Sequence, residues 1–561
     1  MTINYQSTQF PNEDIFVQLL KTARTCQHDS VIDFNRDITA DYTSLLTDVI
    51  QTRQTIWSQV PRSVFDEKGL IVPDTPYIFI LAPASYSYII ASFSILSIGA
   101  ALCTMSTETK ESDALLSLQK TKSSIILADS MHMKQALKIK ARAAAKQQAI
   151  HIVPITVQAP SPRHFSDLRT SIDPDWTIDP KRPSVLIMTS GTTGPSKAVV
   201  HGRRLFSLAY SFLKPGDVFL AHRSSAWIAG LTPLVSGILR GAQLEIVSRD
   251  IATIWDRFQS GRITVFYSVP SIWSALMDYY QSIICNLPPK IHAGYKQGAS
   301  YIRLANVTGG SLLPHVRQFW TEELQMPLVI TYAATEVGGL ATMRNPAPFP
   351  DDKRRVGLPS RHVSFKLSDG DRGEILVKGP TVFQGYLDNP DATDAAFDED
   401  GYYKTGDSAY WSKDEVVLMG RDSEFIRYYG HKVSVYDIEA VIGKLPYISQ
   451  ACVLAVPVFN NIYTEHRVGV VIRVSPSSRR YIKGLCCECD ITLERLRDDL
   501  SPDLPFHMLP TAIHTLHPGE EIPKTVSDKF KRKDAAEKFF PVGEIKLSAK
   551  AEEWDKECQT I

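Results

Sequence analysis

The sequence has 561 residues, of which 44% are hydrophobic and 22% are charged, as is typical of a globular protein with two or more domains. Its 61 Lys and Arg residues balance 61 Asp and Glu residues, so no overall field attracts nucleic acid or an anionic membrane. We therefore expect a small neutral or anionic substrate. Eight mostly scattered cysteines without a signal peptide predict reduced thiols and a cytoplasmic location.

The first 150 residues predict alternating strands and helices. No charged residue occurs from Thr75 to Thr107, which is long enough to cross a membrane. Pro83 and many Ser, Ala and Tyr residues divide this stretch into a strand at 77–82 and a helix at 86–98. We interpret it as a buried strand-helix unit and expect no membrane span. Another strand and a basic helix at 123–147 continue the alternation.

The most informative stretch is a predicted buried strand at 184–188 and the loop that follows it. Glycines let backbone N–H groups approach an anion, hydroxyl groups add donors, and one lysine adds charge. The spacing differs from that of a P-loop, because two residues separate the glycines and Ala follows the lysine. The predicted phosphate-binding residues are Thr189, Ser190, Gly191, Thr192, Thr193, Gly194 and Lys197.

At these residues the sequence resembles the adenylate-forming superfamily, which includes acyl- and aryl-CoA synthetases, carrier-loading adenylation domains and luciferases. The family signature reads Thr-Ser-Gly-Thr-Thr-Gly-x-Pro-Lys-Gly, and here Ser196 replaces the proline and Ala198 the second glycine. Neither change removes a phosphate donor. Predicted strands at 244–247 and 265–269, followed by a helix at 271–280, give the pattern of a doubly wound α/β fold.

A second cluster of family-like residues begins after a further apolar run. The segment Val307-Thr-Gly-Gly-Ser311 resembles the adenine-side turn of the family, where small residues leave room for a flat base. The resemblance assigns Gly309, Gly310 and Ser311 to nucleotide binding.

The segment 331–336 resembles the Tyr-Gly-x-Thr-Glu motif of the same family. The resemblance implies that Tyr332 stacks on the base with Ala333 beside it, and that the Thr335 hydroxyl reaches a phosphate. It also implies that Glu336 binds Mg²⁺, a hard cation that prefers oxygen ligands. Thr335 and Glu336 are thus predicted catalytic residues.

Residues 371–411 predict short strands and turns, and hence a β subdomain that closes the large domain. By resemblance, Asp407 accepts the ribose hydroxyls, for which a carboxylate has enough lone pairs. Arg421 contacts the ribose and phosphate side of the nucleotide, and Asp422-Ser423 forms a hinge. In CoA-using relatives the loop up to Gly430 touches the pantetheine arm of the acceptor.

The segment 522–532 resembles the family motif Pro-Lys-Thr-x-Ser-Gly-Lys, whose last lysine catalyses adenylation. This role falls on Lys529. Asp528 replaces the usual glycine, and Asp is one of the few residues that visit left-handed backbone angles.

The resemblance covers nearly the whole chain and implies a three-part organisation. Residues 1–421 form a large N-terminal AMP-binding domain of doubly wound α/β subdomains plus a β subdomain. Residues 422–540 form a small mobile α+β domain that carries the catalytic lysine and the thiol face, and 541–561 form a tail. The implied activity is an ATP- and Mg²⁺-dependent carboxylic acid:CoA ligase that works through an acyl-adenylate, with secondary metabolism as a candidate context.

Two alternative functions remain open from the sequence. One is an enzyme that loads an acid onto a carrier-protein thiol, and the other is a non-catalytic nucleotide-binding relative. An amino acid substrate is disfavoured, because 223–230 contains no aspartate to pair with an amine. By resemblance, Trp227 falls near the position of a pocket-lining His or aromatic residue, and Ala333 adds a methyl group where glycine usually leaves a tunnel open. Both residues narrow the site, so we predict a short- or medium-chain, or compact aryl, acid.

Overall fold

The computed structural model describes residues 8–74, 76–158, 165–189, 197–310, 312–343, 354–421, 424–428, 431–457, 466–474, 491–525 and 529–541. The helices are α1 Asp14–Thr25, α2 Tyr42–Gln59, α3 Tyr86–Ser97, α4 Glu111–Lys120, α5 Met133–Ala144, α6 Arg204–Leu208, α7 Ile228–Leu239, α8 Ile251–Gln259, α9 Pro270–Ser282, α10 Pro289–Ala299, α11 Pro314–Gln318, α12 Pro390–Ala395, α13 Val435–Ile442, α14 Leu493–Leu500 and α15 Arg532–Phe539.

The strands are β1 Phe10–Asn12, β2 Val31–Asp33, β3 Ile38–Ala40, β4 Tyr77–Leu81, β5 Ala101–Met105, β6 Ile125–Ala128, β7 His151–Pro154, β8 Ile172–Thr177, β9 Pro183–Thr189, β10 Lys197–Gly202, β11 Val218–Ala221, β12 Gln243–Ile246, β13 Val265–Ser268, β14 Leu304–Thr308, β15 Leu328–Thr331, β16 Ala333–Ala334, β17 Gly339–Leu340, β18 Thr342–Met343, β19 Arg355–Pro359, β20 Ser364–Asp369, β21 Arg372–Lys378, β22 Gly385–Tyr386, β23 Tyr403–Ser412, β24 Glu415–Arg421, β25 Phe425–Tyr428, β26 His431–Ser434, β27 Ile448–Pro457, β28 His466–Val474 and β29 Ala512–Thr515.

The first large sheet has the strand order β22-β10-β9-β5-β4-β6-β7. Strand β4 pairs in parallel with β5 and β6, whereas β10 runs antiparallel to both β9 and β22. Helix α3 starts at Ser85, whose side chain accepts a hydrogen bond from the Tyr88 N–H, and every residue of the helix is buried. The predicted buried strand-helix unit is therefore confirmed. No helix in the described ranges is long and apolar enough to cross a membrane.

The second large sheet has the order β15-β14-β13-β11-β12-β2-β3, and all of its neighbours are parallel except β2 and β3. One hydrophobic core joins the two large sheets and contains Ile80 of β4, Leu96 of α3, Leu234 of α7 and Leu244 of β12. Strands β11 to β15 all end at the same edge of the sheet. In open α/β sheets, ligands bind beyond this carboxyl edge.

A third sheet is antiparallel throughout, with the order β18-β19-β24-β23-β21-β20. It includes the segment for which the sequence predicted a β subdomain. Its core contains Val356, Ile375 and Val416, and Tyr332 packs into the same cluster from the end of β15. The β sheet therefore holds part of the predicted nucleotide site against the parallel sheet.

The C-terminal part of the chain has its own small sheet, β27-β28-β29, packed by α13 and α15. Its cores are built from local residues, including Ile438, Val470 and Leu496 in one cluster and Leu516 and Ala535 in another. The predicted architecture of a large α/β part and a small α+β part is confirmed. The predicted hinge at 422–423 lies outside the described residues.

Candidate active site

A cavity of about 1540 Å³ is lined by residues of both the large and the small parts of the protein. The segments that follow β11, β12, β13, β14 and β15 line one wall, as the common carboxyl edge of these strands requires. Residues of the third sheet and of the C-terminal part complete it. Predicted site residues that line the cavity are Thr189, Lys197, Gly309, Gly310, Tyr332, Ala333, Thr335, Glu336, Asp407, Arg421 and Lys529.

The phosphate loop joins two antiparallel strands. Thr189 at the end of β9 lies opposite Lys197 at the start of β10, and the Thr189 hydroxyl donates to the Lys197 carbonyl at 3.1 Å. The sequence predicted β9 but not β10, although Val199 and Val200 are typical strand residues. The loop residues Ser190, Gly191, Thr192, Thr193 and Gly194 lie outside the described residues.

Glu336 and Lys197 share a neighbour, Tyr386, that no sequence motif marks. The hydroxyl of Tyr386 in β22 donates to Glu336 Oε1 at 3.1 Å, and the Lys197 amine lies 4.6 Å from the centre of the Tyr386 ring. Tyr386 therefore links the predicted phosphate lysine to the predicted metal carboxylate. Its strand pairs with β10, which explains how a residue 50 positions away in sequence reaches Glu336.

A buried histidine contacts the backbone carbonyl of Thr335. His201 Nε2 lies 2.8 Å from the Thr335 carbonyl, and Nδ1 lies 3.2 Å from the Thr381 carbonyl. Burial lowers the pKa of His201 to about 4, although both carbonyl contacts oppose the shift. A neutral imidazole donates from one nitrogen only, and the shorter contact indicates donation to Thr335. His201 thus orients the turn that presents Glu336 to the cavity.

Asp407 lies at the centre of a three-residue network. The Tyr332 hydroxyl donates to Asp407 Oδ2 at 2.6 Å, and Arg421 Nε donates to Oδ1 at 2.9 Å. The pKa of Tyr332 is raised well above its usual value by burial and then by the Asp407 charge, so its hydroxyl stays a donor. These three predicted nucleotide residues are therefore in contact with one another. The carboxylate keeps further lone pairs for ribose hydroxyls.

Lys529 reaches the same cavity from the small C-terminal part. Its backbone N–H donates to the Thr525 hydroxyl at 3.1 Å, and its carbonyl accepts from the Thr525 N–H at 2.7 Å. Desolvation by the cleft walls lowers the pKa of Lys529, and Arg421 lowers it further, whereas Asp407, Glu424 and Glu336 oppose this. Lys529 is thus within electrostatic range of both Glu336 and Asp407. Asp528 lies outside the described residues.

The turn after β14 is open toward the cavity. Gly309 has φ +86°, a left-handed conformation that favours glycine, and a Cβ added to it would lie 3.6 Å from Val269. An added Cβ at Gly310 would lie 3.3 Å from the Pro270 ring. The backbone conformation therefore favours glycine at 309, and the close approach of Pro270 favours it at 310. Ser311 and the predicted CoA-loop residue Gly430 lie outside the described residues.

Comparison with known proteins identifies the family. The family model for the AMP-binding enzyme matches residues 63–387. The acyl-CoA ligase oryP of Aspergillus oryzae is 33% identical over 540 residues, covering 95% of this chain and 93% of the relative. The chain belongs to the AMP-binding enzyme family. The malonate–CoA ligase of Arabidopsis thaliana is 27% identical over 446 residues, 73% of this chain and 69% of the relative.

Solved structures support the same fold. ATP-bound MatB from Rhodopseudomonas palustris superposes with a TM-score of 0.74 at 18% identity, covering 94% of this chain and 98% of that chain. The anthranilate CoA ligase AuaEII with anthranoyl-AMP gives a TM-score of 0.74 at 17% identity with the same coverages. The predictions of an adenylate-forming family member and of an AMP-forming acid–thiol ligase are confirmed at the level of the family.

Proposed function

We propose that this AMP-binding enzyme joins a short- or medium-chain, or compact aryl, carboxylic acid to CoA through an acyl-adenylate. The main support for this proposal is that Lys197, Glu336, Asp407 and Lys529 all line the same cavity. These residues span more than 330 positions of sequence, and each resembles a different motif of the same reaction. A non-catalytic relative would have no need to retain all four.

The reaction has two steps. In the first, a carboxylate oxygen of the acid attacks the α-phosphorus of ATP, and the bond to the β-phosphate oxygen breaks with release of pyrophosphate. In the second, the CoA sulfur attacks the activated carbonyl, the thiol proton is lost to solvent, and AMP leaves with the electrons of its bond to the carbonyl carbon. The first step builds negative charge on phosphate oxygens, which Lys529 and Lys197 are placed to stabilise.

Asp407 and Arg421 are proposed to hold the ribose. Their ion pair at 2.9 Å, together with the Tyr332 hydroxyl, fixes the carboxylate before a nucleotide arrives. A carboxylate that is already oriented costs little reorganisation on binding. The nucleotide is then presented with its phosphates toward Glu336 and the phosphate loop.

The proposed Mg²⁺ would be bound jointly by a protein carboxylate and by the phosphates of ATP. Among the described residues there is no group of three or more His, Cys, Asp or Glu side chains arranged to hold a metal ion. Glu336 supplies one partly exposed carboxylate, and Mg²⁺ is commonly bound by one or two carboxylates together with substrate phosphates. When bound, the ion would neutralise phosphate charge. Glu336→Gln should raise the Mg²⁺ concentration needed for nucleotide binding, measured by equilibrium titration of ATP.

The boundary between the two domains is proposed to lie between Arg421 and Asp422, with 541–561 as a tail. The separate hydrophobic cores on the two sides support it. A cytoplasmic location and a role in secondary metabolism also belong to the proposal.

The experiment is a screen of carboxylic acids with ATP, Mg²⁺ and either CoA or a carrier-protein thiol. We expect pyrophosphate release to require one acid class and the thioester to appear on CoA, detected by mass spectrometry. A thioester on the carrier protein alone would favour the carrier-loading alternative. ATP binding without release of pyrophosphate for any acid would contradict the ligase function.

A further inference from the structure

One wall of the cavity carries an unusual number of buried polar atoms without hydrogen-bond partners. These atoms belong to four residues at the carboxyl ends of strands β11, β13 and β14 of the second sheet. All four residues line the cavity. Native proteins pair nearly all buried polar atoms, so such a group indicates a site completed by a ligand or by water. The unpaired atoms are His222 Nδ1, Arg223 Nη1, Ser268 Oγ and Thr308 Oγ1.

Among these residues, Arg223 gives the strongest indication of a bound ligand. A guanidinium stays charged in proteins, and a buried unpaired charge is costly. Burial lowers the pKa of Arg223 and the charge of Arg249 lowers it further, while Tyr210 opposes the shift. In the described part of the chain, Nη1 of Arg223 is buried and has no hydrogen-bond partner. This is the environment of a cation that lacks its anion.

The neighbouring side chains favour an anion at this point. Arg249 follows β12, the strand that pairs with β11, and it lines the same cavity. His222 Nε2 lies 3.2 Å from the Tyr267 carbonyl and therefore donates to it. Burial, and then Arg223, lower the pKa of His222 to about 3, so the ring is neutral and adds no charge. The positive charge of this wall is therefore carried by arginine.

The cluster is separate from the adenylation residues. Glu336 follows β15 and Arg223 follows β11, and β13 and β14 lie between these two strands. At about 4.8 Å per strand, the two ends of this wall are roughly 14 Å apart at the backbone. Arg223 therefore lies at the opposite end of this wall from Glu336.

We propose that the acid substrate carries a second carboxylate, remote from the one that is activated, and that Arg223 binds it. Ser268 and Thr308 lie along the path between the two ends of the acid and offer hydroxyl groups to its polar atoms. The inference rests on the proposed ligase function and narrows its substrate to dicarboxylic acids. The strand spacing favours acids longer than three carbons.

The test compares mono- and dicarboxylic acids of equal carbon number, from three to ten carbons, by acid-dependent exchange of pyrophosphate into ATP. The wild type should use the best dicarboxylic acid at least 10-fold better in kcat/KM than its monocarboxylic counterpart. Arg223→Gln should lower kcat/KM for that dicarboxylic acid roughly 100-fold, the scale of removing one partner of a buried charged pair. The same variant should leave the monocarboxylic acid unchanged or improve it, and Arg223→Lys should recover part of the loss.

Two controls separate recognition from folding. Arg142→Gln, on the exposed face of α5 and outside the cavity, should not change the ratio between the acids. Arg223→Gln should keep or raise the melting temperature without ligand, because it removes an unpaired buried charge.

The outcomes are distinct. An equal loss for both acid classes in Arg223→Gln, or a wild-type preference for monocarboxylic acids, would overturn the inference while the ligase function stands. An unchanged ratio in Arg223→Gln would assign the unpaired atoms to water and would also overturn it. Absence of exchange with every acid would contradict the ligase function itself, and the inference with it.

Discussion

At the scale of single residues, the active site is built from contacts between motifs that are distant in sequence. Sequence patterns predicted Glu336, Asp407 and Lys529, because each lies in a short recognisable motif. They could not predict that Tyr332 and Arg421 both bind Asp407, since these contacts join residues 75 and 14 positions apart. They missed Tyr386 for the same reason. A lone tyrosine in a Gly-Tyr pair carries no signal until β22 pairs with β10.

Removing the charge of Lys529 should separate the two half-reactions. Lys529→Ala should lose roughly 100-fold or more in adenylate formation, the scale of a deleted transition-state donor. Thioester formation from supplied acyl-adenylate should be largely kept, because little charge builds on phosphate in that step. Both rates are measured by single-turnover assays. Equal losses in the two steps would refute this division of labour.

The lowered pKa of Lys529 also predicts a pH dependence. An ordinary lysine loses its proton near pH 10.5, and desolvation in the cleft lowers that value here. Adenylate formation in the wild type should therefore fall as the pH rises through a value below that of a free lysine. The thioester step from supplied adenylate should not show this particular decline. A pH-rate profile of both steps, with Lys529→Arg as the control that stays charged, checks the result.

The Tyr386 hydroxyl should tune nucleotide binding without carrying the fold. Tyr386→Phe removes the donor to Glu336 and keeps the ring under Lys197. We expect KM for Mg-ATP to rise roughly 5- to 10-fold, since a hydrogen bond to a charged group contributes about 1.5 kcal/mol or less in a partly exposed site. Tyr402→Phe, whose hydroxyl contacts Ser364 outside the cavity, is the matched control. An equal change in both variants would exclude a specific role.

At the scale of elements, periodicity and charge predicted the parallel sheets well and the hairpins poorly. The uncharged stretch around α3 correctly predicted a buried strand-helix unit. All twelve residues of this helix are buried, and a charged side chain there would be costly. Strand β10 was not predicted, because the stretch before it is rich in Gly, Ser and Thr and the strand begins at a lysine, a composition typical of a loop. Its pairing with β9 places Lys197 opposite Thr189.

Helix α7 carries a test of the acid pocket. Trp227 lies at its N-terminal end, lines the cavity and is only partly buried, so it is not a core residue. Trp227→Ala should extend the length of acid that is accepted. In the wild type, each methylene that does not fit the pocket should cost about 1–3 kcal/mol of transition-state binding. The melting temperature should change little. Loss of fold, or a palmitate-sized acid as the best wild-type substrate, would contradict this role.

At the scale of the whole molecule, the small domain is held in one arrangement by a few polar contacts. Arg354 donates to the Met419 carbonyl at 2.8 Å and to Asp437 at 3.2 Å, and it lies 4.7 Å from the centre of the Tyr436 ring. His315 donates from Nδ1 to the Gly443 carbonyl at 2.7 Å. These contacts join the two parts in the arrangement in which Lys529 lines the cavity. A turn of the small domain toward a thiol would have to break them.

Substitutions at the hinge and at this contact should have opposite effects. Ser423→Pro, in the predicted hinge, should keep adenylate formation and slow thioester formation, because proline fixes φ and limits rotation. Arg354→Ala should weaken adenylate formation more than thioester formation, because it loosens the arrangement that holds Lys529. Rates of both half-reactions in both variants check the prediction. The same change in both variants would argue against a rotation.

The central claim is that this cavity makes an acyl-adenylate from ATP and a carboxylic acid. The most direct measurement is exchange of labelled pyrophosphate into ATP by the purified full-length protein with Mg²⁺. We predict exchange that depends on an added carboxylic acid and is lost in Lys529→Ala. No exchange with aliphatic, aryl or dicarboxylic acids, from protein shown to be folded, would contradict the account.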